Sequence, residues 1–161
     1  MRPAYYFFAI LMLAAWCVMT TTHELGHLIG GWLSGGTLQH AELCPWRLPH
    51  SHFAPDPHPL ITLWAGPLLG CAIPLAFALA IGKPSTWLVA NFCVLANGVY
   101  LALAWYSGAP FLDTPRLLAA GASPLSIAAY CAVTIGWGYP ALRASIVDIV
   151  FPKRGEGSGK D

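Results

Sequence analysis

Four long segments of this chain contain no lysine, arginine, aspartate or glutamate, and this feature constrains the fold more than any other. They cover residues 3–23, 57–82, 84–112 and 117–142. Each has the length of about 20 residues that an α-helix needs to cross the hydrocarbon core of a bilayer. Because a helix satisfies its own backbone hydrogen bonds in lipid, these segments predict four transmembrane helices and an all-α integral membrane protein.

The composition argues against a soluble domain. Of the 161 residues, 57% are hydrophobic and 9% are charged, whereas a soluble domain devotes about a quarter of its residues to charge. A net charge of +1 gives no basis for binding nucleic acid. The sequence predicts one multi-pass domain over residues 1–151, embedded in the lipid bilayer of the cell membrane, and a mobile polar tail over residues 152–161.

The connection between the first two segments, residues 35–58, has a different composition. It opens with two glycines and is rich in proline and histidine, which predicts an irregular or short-strand loop. The spacing of its histidines and its cysteine fits no standard metal site, so solvated loop histidines are favoured over a second metal site. The residues concerned are His40, Cys44, His50, His52 and His58.

The first segment runs into an HExxH motif formed by His23, Glu24 and His27. Positions i and i+4 of a helix share one face, so both imidazoles can reach one metal ion, and the glutamate beside them can act as a general base. Chance is the competing interpretation, but an ionisable residue inside a membrane segment is costly and generally marks function. A catalytic zinc site has three protein ligands, which predicts a third ligand elsewhere.

Asp113 is the candidate third ligand. It follows the third apolar segment, between two prolines that interrupt the helix there. The competing interpretation is an N-cap, because Asp-Thr-Pro suits the start of a helix. An uncompensated carboxylate near the membrane is expensive, and this favours the ligand role.

Three motifs together resemble the site-2 protease family of intramembrane zinc metalloproteases. They are residues 23–27, the Ala-Gly-Pro of residues 65–67 and the Pro-Phe-Leu-Asp of residues 110–113. The resemblance implies a zinc ion held by His23, His27 and Asp113, with Glu24 activating water to cleave a peptide bond. It also implies a transmembrane protein or peptide as substrate, locally unwound, and a substrate-handling role for the loop around residues 36–58.

The chain departs from the family pattern near the third motif. Thr114 follows the aspartate where the family usually has glycine, and Trp105 stands eight residues before it where the family usually has asparagine. Gly70 stands near a position where the family often has a second asparagine. Asn97 is therefore a candidate contact to substrate or transition state, with Asn91 as the other polar residue of the third segment that could substitute for the missing asparagines. Arg116, one turn beyond Asp113, is the second candidate contact, although it suits an interfacial role equally well.

Three functions remain open from the sequence. The first is a zinc-dependent intramembrane endopeptidase of the site-2 type, regulated by a membrane partner since the chain has no regulatory domain. The second is a non-proteolytic relative that binds a client helix, which the changes around Asp113 favour. The third is another class of HExxH membrane protease, although only Glu42 and Glu156 remain as alternative glutamates. Orientation is open too: the lysine and arginine distribution favours cytoplasmic termini, while the family resemblance favours an external N-terminus.

Overall fold

The structure is a computed structural model that describes residues 2–47 and 49–151. The predicted mobile tail over residues 152–161 lies outside the described residues. The described chain contains five α-helices and a two-stranded antiparallel sheet. In chain order the elements are α1 (Arg2–Leu33), β1 (Leu38–Glu42), β2 (His50–Phe53), α2 (Pro59–Ile81), α3 (Pro84–Ser107), α4 (Asp113–Ala119) and α5 (Pro124–Val150).

The four predicted long apolar helices are confirmed as α1, α2, α3 and α5, each long and apolar enough to cross a membrane. Helix α1 continues beyond the apolar segment to Leu33, so the HExxH motif lies inside the helix and not at its end. Helix α3 ends earlier than its apolar segment, because Gly108 takes the left-handed conformation (φ 65°) and Pro110 follows. The residues released from α3 lead into the short helix α4.

The proline- and histidine-rich connection forms a β-hairpin, so the short-strand alternative describes it better than an irregular loop. Strand β1 pairs antiparallel with β2, with His40 opposite His52. The prolines of this region lie in the connection between the strands or beyond β2, where they remove no hydrogen bond from the ladder. In β2 the exposed His50 and His52 alternate with the buried Ser51 and Phe53, so the strand has one face towards the helices.

Small residues let α1 and α2 approach closely. A Cβ atom on Gly26 would overlap the carbonyl oxygen of Ala65, and one on Gly30 would overlap the Ala65 side chain. Close approach through glycine and alanine is typical of helix pairs in membranes. On the other side of the molecule, α3 packs on α5 where Gly138 lies against the backbone of Leu95. The HExxH face of α1 therefore points into the helix bundle.

Helix α4 brings Asp113 back towards α1. The fully buried Thr114 donates a hydrogen bond from Oγ1 to the Leu101 carbonyl of α3 at 2.7 Å. Leu117 is also fully buried and packs in a cluster with Leu101 and Ile127. These contacts fix the first turn of α4 against the end of α3 and so determine where Asp113 lies.

Candidate metal centre

The two histidines of the HExxH motif and Asp113 meet in the interior of the bundle. Asp113 Oδ2 lies 2.8 Å from His23 Nε2 and 3.2 Å from His27 Nε2, and the two Nε2 atoms are 3.1 Å apart. All three side chains are buried. Asp113 is the first residue of α4, and the helix has no side-chain cap. The carboxylate thus faces the histidines instead of capping the helix.

Both imidazoles are oriented by hydrogen-bond acceptors that contact Nδ1, the ring nitrogen that faces away from Asp113. His23 Nδ1 lies 2.6 Å from Asn97 Oδ1, and His27 Nδ1 lies 2.8 Å from the Thr62 carbonyl of α2. The orientation of the Asn97 amide is fixed because its Nδ2 donates to the Cys93 carbonyl at 2.8 Å. Each Nδ1 therefore carries a hydrogen, and Nε2 is the atom that each imidazole presents to the site, with a lone pair for a metal ion whenever Nε2 carries no proton. Outer hydrogen bonds of this kind orient histidine ligands in metal sites.

The donor set fits a metal ion. The two imidazole nitrogens and the carboxylate oxygen lie within 3.2 Å of one another. Such close approach requires a positive charge between them, which is supplied by protons on Nε2 or by a metal ion. Two histidines and one carboxylate are a ligand set of catalytic zinc sites, and bonds of about 2.0–2.1 Å to a tetrahedral ion put its ligands about 3.3 Å apart. The observed separations are a few tenths of an ångström shorter. A small outward movement of the side chains would admit zinc.

Asp113 is held as a carboxylate by its surroundings. Burial acts to raise the pKa of its carboxyl group, but the positive charge of His27 and the hydrogen bonds from both histidines outweigh burial and hold the pKa well below its usual range. Metal binding requires ligands that have lost their protons. Asp113 meets this requirement, whereas the histidines must exchange any Nε2 proton for the metal.

Glu24 lies beside the ligand set and is held by the hairpin. Its carboxylate and the imidazoles of His23 and His27 offer ligand atoms that all lie within 4.8 Å of one another. The Ser51 hydroxyl of β2 donates a hydrogen bond to Glu24 Oε2 at 2.7 Å. Glu24 is largely buried, but it lines an open cavity together with His27 and Asp113. This is a suitable location for a general base acting on a water molecule in the cavity.

The cavity has a volume of about 760 Å³ and lies between the hairpin and the segment that leads into α4. Its walls include exposed histidines of both strands, His40, His50 and His52, and the half-buried Arg116. A smaller cavity of about 150 Å³ reaches His23 and Glu24 from the side of Trp16. Space for a peptide therefore exists beside the ligand set.

The other predicted site residues have different locations. Arg116 lines the cavity, as a substrate contact requires. Asn97 does not face the cavity: it is fully buried, and its amide bonds His23 on one side and Cys93 on the other. The contact that the structure shows for Asn97 is the one with His23, and its predicted contact with substrate stays a prediction. Within residues 2–47 and 49–151, no second group of metal-ligating side chains comes together in the hairpin.

Sequence reasoning did not identify Ser51 or the Thr62 carbonyl, because a lone serine and a backbone oxygen carry no motif. Gly66 and Gly70 of α2 were the available sequence signal, because a glycine inside a helix can mark a place where another side chain approaches closely. A Cβ on Gly66 would overlap the His27 ring, and a Cβ on Gly70 would lie 2.9 Å from Asn97 Oδ1. Each glycine thus makes room for one side chain of the site.

We expect Asn97→Ala to weaken zinc binding about 10- to 100-fold, because His23 would lose the acceptor that orients its ring. Equilibrium titration with zinc against a competing chelator measures this affinity. Asn91→Ala is the matched control, since Asn91 is the other buried asparagine of α3 and bonds Ser145 instead. Equal zinc affinity in Asn97→Ala and wild type would show that the hydrogen bond does not support the ligand.

Comparison of the chain with protein-family models, with curated proteins and with solved structures yields no match. The possible chemistry of the site is therefore inferred from its own groups, which are two imidazoles and two carboxylates beside a cavity.

Proposed function

We propose that this chain is a multi-pass integral membrane protein and a zinc-dependent intramembrane endopeptidase of the site-2 protease type. The observation that carries the proposal is the convergence of His23, His27 and Asp113 on one point, with Glu24 beside them on a cavity wall. A metal site that only stabilised the fold would not need a glutamate at that place. Ionisable residues in membrane-length helices are expensive, and this supports a functional role.

The proposed reaction divides the work among four side chains. His23, His27 and Asp113 would hold the ion, and the hydrogen bonds to Asn97 and to the Thr62 carbonyl orient the two imidazoles. When bound, zinc supplies Lewis acidity that polarises the scissile carbonyl and makes water a stronger acid. The Glu24 carboxylate takes a proton from the attacking water and returns it to the leaving amine nitrogen, as a general base and then a general acid does.

The position of the site along the helices supports a substrate that lies in the membrane. His23 and His27 belong to the apolar, membrane-length helix between Tyr5 and Leu33. In the proposed function, a scissile peptide bond must therefore reach these histidines from within the membrane. The adjoining cavity has polar side chains such as His50, His52 and Arg116 in an otherwise largely apolar wall, and these suit an unwound peptide, whose backbone needs hydrogen-bonding partners or water. The proposed substrate is therefore a transmembrane protein or peptide that unwinds locally.

The second candidate is a non-proteolytic membrane protein that binds a client helix or a partner. The observation that favours it is the pair of contacts from His23 and His27 to Asp113. Protonated histidines would form buried ion pairs with the carboxylate, and such a cluster is complete without zinc. In that case the cavity would serve binding and Glu24 would have no catalytic task.

The test is cleavage of a mixed library of synthetic transmembrane peptides by the purified zinc-loaded protein in detergent micelles, with products identified by mass spectrometry. We expect cleavage by the wild type and a loss of about 10²–10⁴-fold in Glu24→Gln, because general-base catalysis is worth that much. Glu42→Gln is the matched control, since that glutamate of the hairpin pairs with Arg47 and lies outside the site. Both variants should keep their zinc.

Two results would contradict the protease assignment. Equal cleavage by wild type and Glu24→Gln would identify a contaminating protease. Zinc-loaded wild-type protein that binds the peptides but cuts none of them would support the client-binding function instead.

A further inference from the structure

We propose that Ser51 of the hairpin is a positioning residue for Glu24, so that the docked hairpin forms part of the catalytic site. This inference rests on the proposed endopeptidase function. It assigns a role to β2 beyond lining the cavity, because the strand supplies the group that orients the general base.

The contact itself is short and buried. Ser51 Oγ and Glu24 Oε2 are 2.7 Å apart, and the two residues are 8% and 6% exposed. A hydroxyl donating to a carboxylate is a charge-assisted hydrogen bond and is stronger than one between neutral groups. Among the described residues, no other hydrogen bond to the Glu24 carboxylate is present. Ser51 therefore fixes one carboxylate oxygen and leaves the other available for proton transfer.

The hairpin is anchored so that Ser51 is brought to this position. Two residues after Ser51, the Phe53 ring packs against Gly31 and Gly36, where a Cβ atom would meet the ring. At the base of the hairpin, the Thr37 amide donates to the Pro55 carbonyl at 3.0 Å. At the other end, the Trp16 indole of α1 donates to the Pro45 carbonyl at 3.1 Å. The segment that carries Ser51 is thus attached to the rest of the molecule on both sides.

Both faces of β2 border the large cavity, because Ser51 lines it together with His50 and His52. His50 and His52 alternate with Ser51 along the strand and line the same space as Glu24. A peptide that enters the cavity therefore touches the strand that holds the general base. If that strand moved away from α1, Glu24 would lose its hydroxyl donor and its fixed orientation, and misplacement of a catalytic group by about 1 Å can cost about 100-fold in rate.

The experiment compares Ser51→Ala with Ser51→Thr, using a transmembrane peptide that the wild type cleaves. We expect kcat to fall about tenfold or more in Ser51→Ala, which loses a hydrogen bond to a charged group, while KM and zinc content stay unchanged. Ser51→Thr keeps a hydroxyl and suits a strand, so its kcat should stay within about threefold of wild type. Ser145→Ala is the matched control, since Ser145 bonds Asn91 instead of a site residue.

Amide hydrogen exchange gives a readout that does not depend on turnover. Exchange in the segment 50–53 should be several-fold faster in Ser51→Ala than in wild type or Ser51→Thr, because the strand loses one attachment to α1. Four results would each overturn this inference alone. They are an unchanged kcat in Ser51→Ala, an equal loss of kcat in both Ser51 variants, an unchanged exchange rate in Ser51→Ala, and a loss of zinc from Ser51→Ala. A wild type that cleaves no peptide overturns the proposed function and this inference with it.

Discussion

Replacing Asp113 by alanine is expected to lower the zinc content of the purified protein from about one ion per chain to nearly none. The carboxylate is the one ligand that comes from outside α1, and without it two imidazoles from adjacent turns of a single helix remain. Two ligands fall short of the three protein ligands that catalytic zinc sites have. Cleavage of transmembrane peptides should disappear together with the metal.

Asp113→Asn is the more informative partner variant, because alanine would leave the two buried histidines without any acceptor, whereas the asparagine amide keeps an oxygen that accepts a hydrogen bond. Removing one member of a buried ion pair typically costs about 3–5 kcal/mol, which is enough to unfold a marginal protein. Asparagine keeps the shape and removes the charge. Asp148→Asn is the matched control, since Asp148 is exposed near the end of α5 and away from the site. Metal analysis of folded protein that finds full zinc in Asp113→Asn would remove Asp113 from the ligand set.

Gly66→Ala is expected to abolish zinc binding without changing any polar group. A Cβ atom at this position would overlap the His27 ring, and α1 and α2 are already in close contact here, where a Cβ on Gly26 would overlap the Ala65 carbonyl. Inserting a methyl group into a closely packed interior typically costs about 1–3 kcal/mol. The least costly relaxation is a turn of the His27 side chain, which breaks its hydrogen bond to Thr62 and moves Nε2 away from Asp113.

Gly136→Ala is the control for this variant. Gly136 also lies inside a helix, but a Cβ atom there would meet nothing within 4 Å. Zinc content and thermal unfolding in detergent measure both variants, and Gly136→Ala should keep its zinc and lose no stability. Normal zinc content in Gly66→Ala would mean that the two helices can separate locally, and that the glycine is not what positions His27.

Part of this architecture could be predicted because its signals are local in the sequence. The absence of charge over the four segments is enough to predict four long helices, since unpaired charges are not tolerated in the interior of a bilayer. The spacing of His23 and His27 is enough to place two imidazoles on one helix face. The Pro-Phe-Leu-Asp of residues 110–113 predicts a break in helical structure and a carboxylate beyond it.

The outer contacts of the site could not be predicted in this way. Asn97 is separated from His23 by 74 positions and Ser51 from Glu24 by 27 positions, and no periodicity links such pairs. In the structure Asn97 bonds His23, a contact that the sequence did not predict, and its predicted contact with substrate stays a prediction. The hairpin was predicted only as one of two alternatives, because the prolines of this region indicate an irregular loop while the residues of β1 and β2 contain no proline and can pair.

The sequence alone therefore determines which segments are helical and which side chains can bind a metal, because hydrophobic length and i, i+4 spacing act within one element. The tertiary structure decides which of those side chains meet. Helix α4 turns Asp113 towards α1 through the Thr114 hydrogen bond, and Gly66 admits the His27 ring. The physical reason is that these contacts depend on the distance between packed helices, which is set by the small residues at their crossing and not by any one segment.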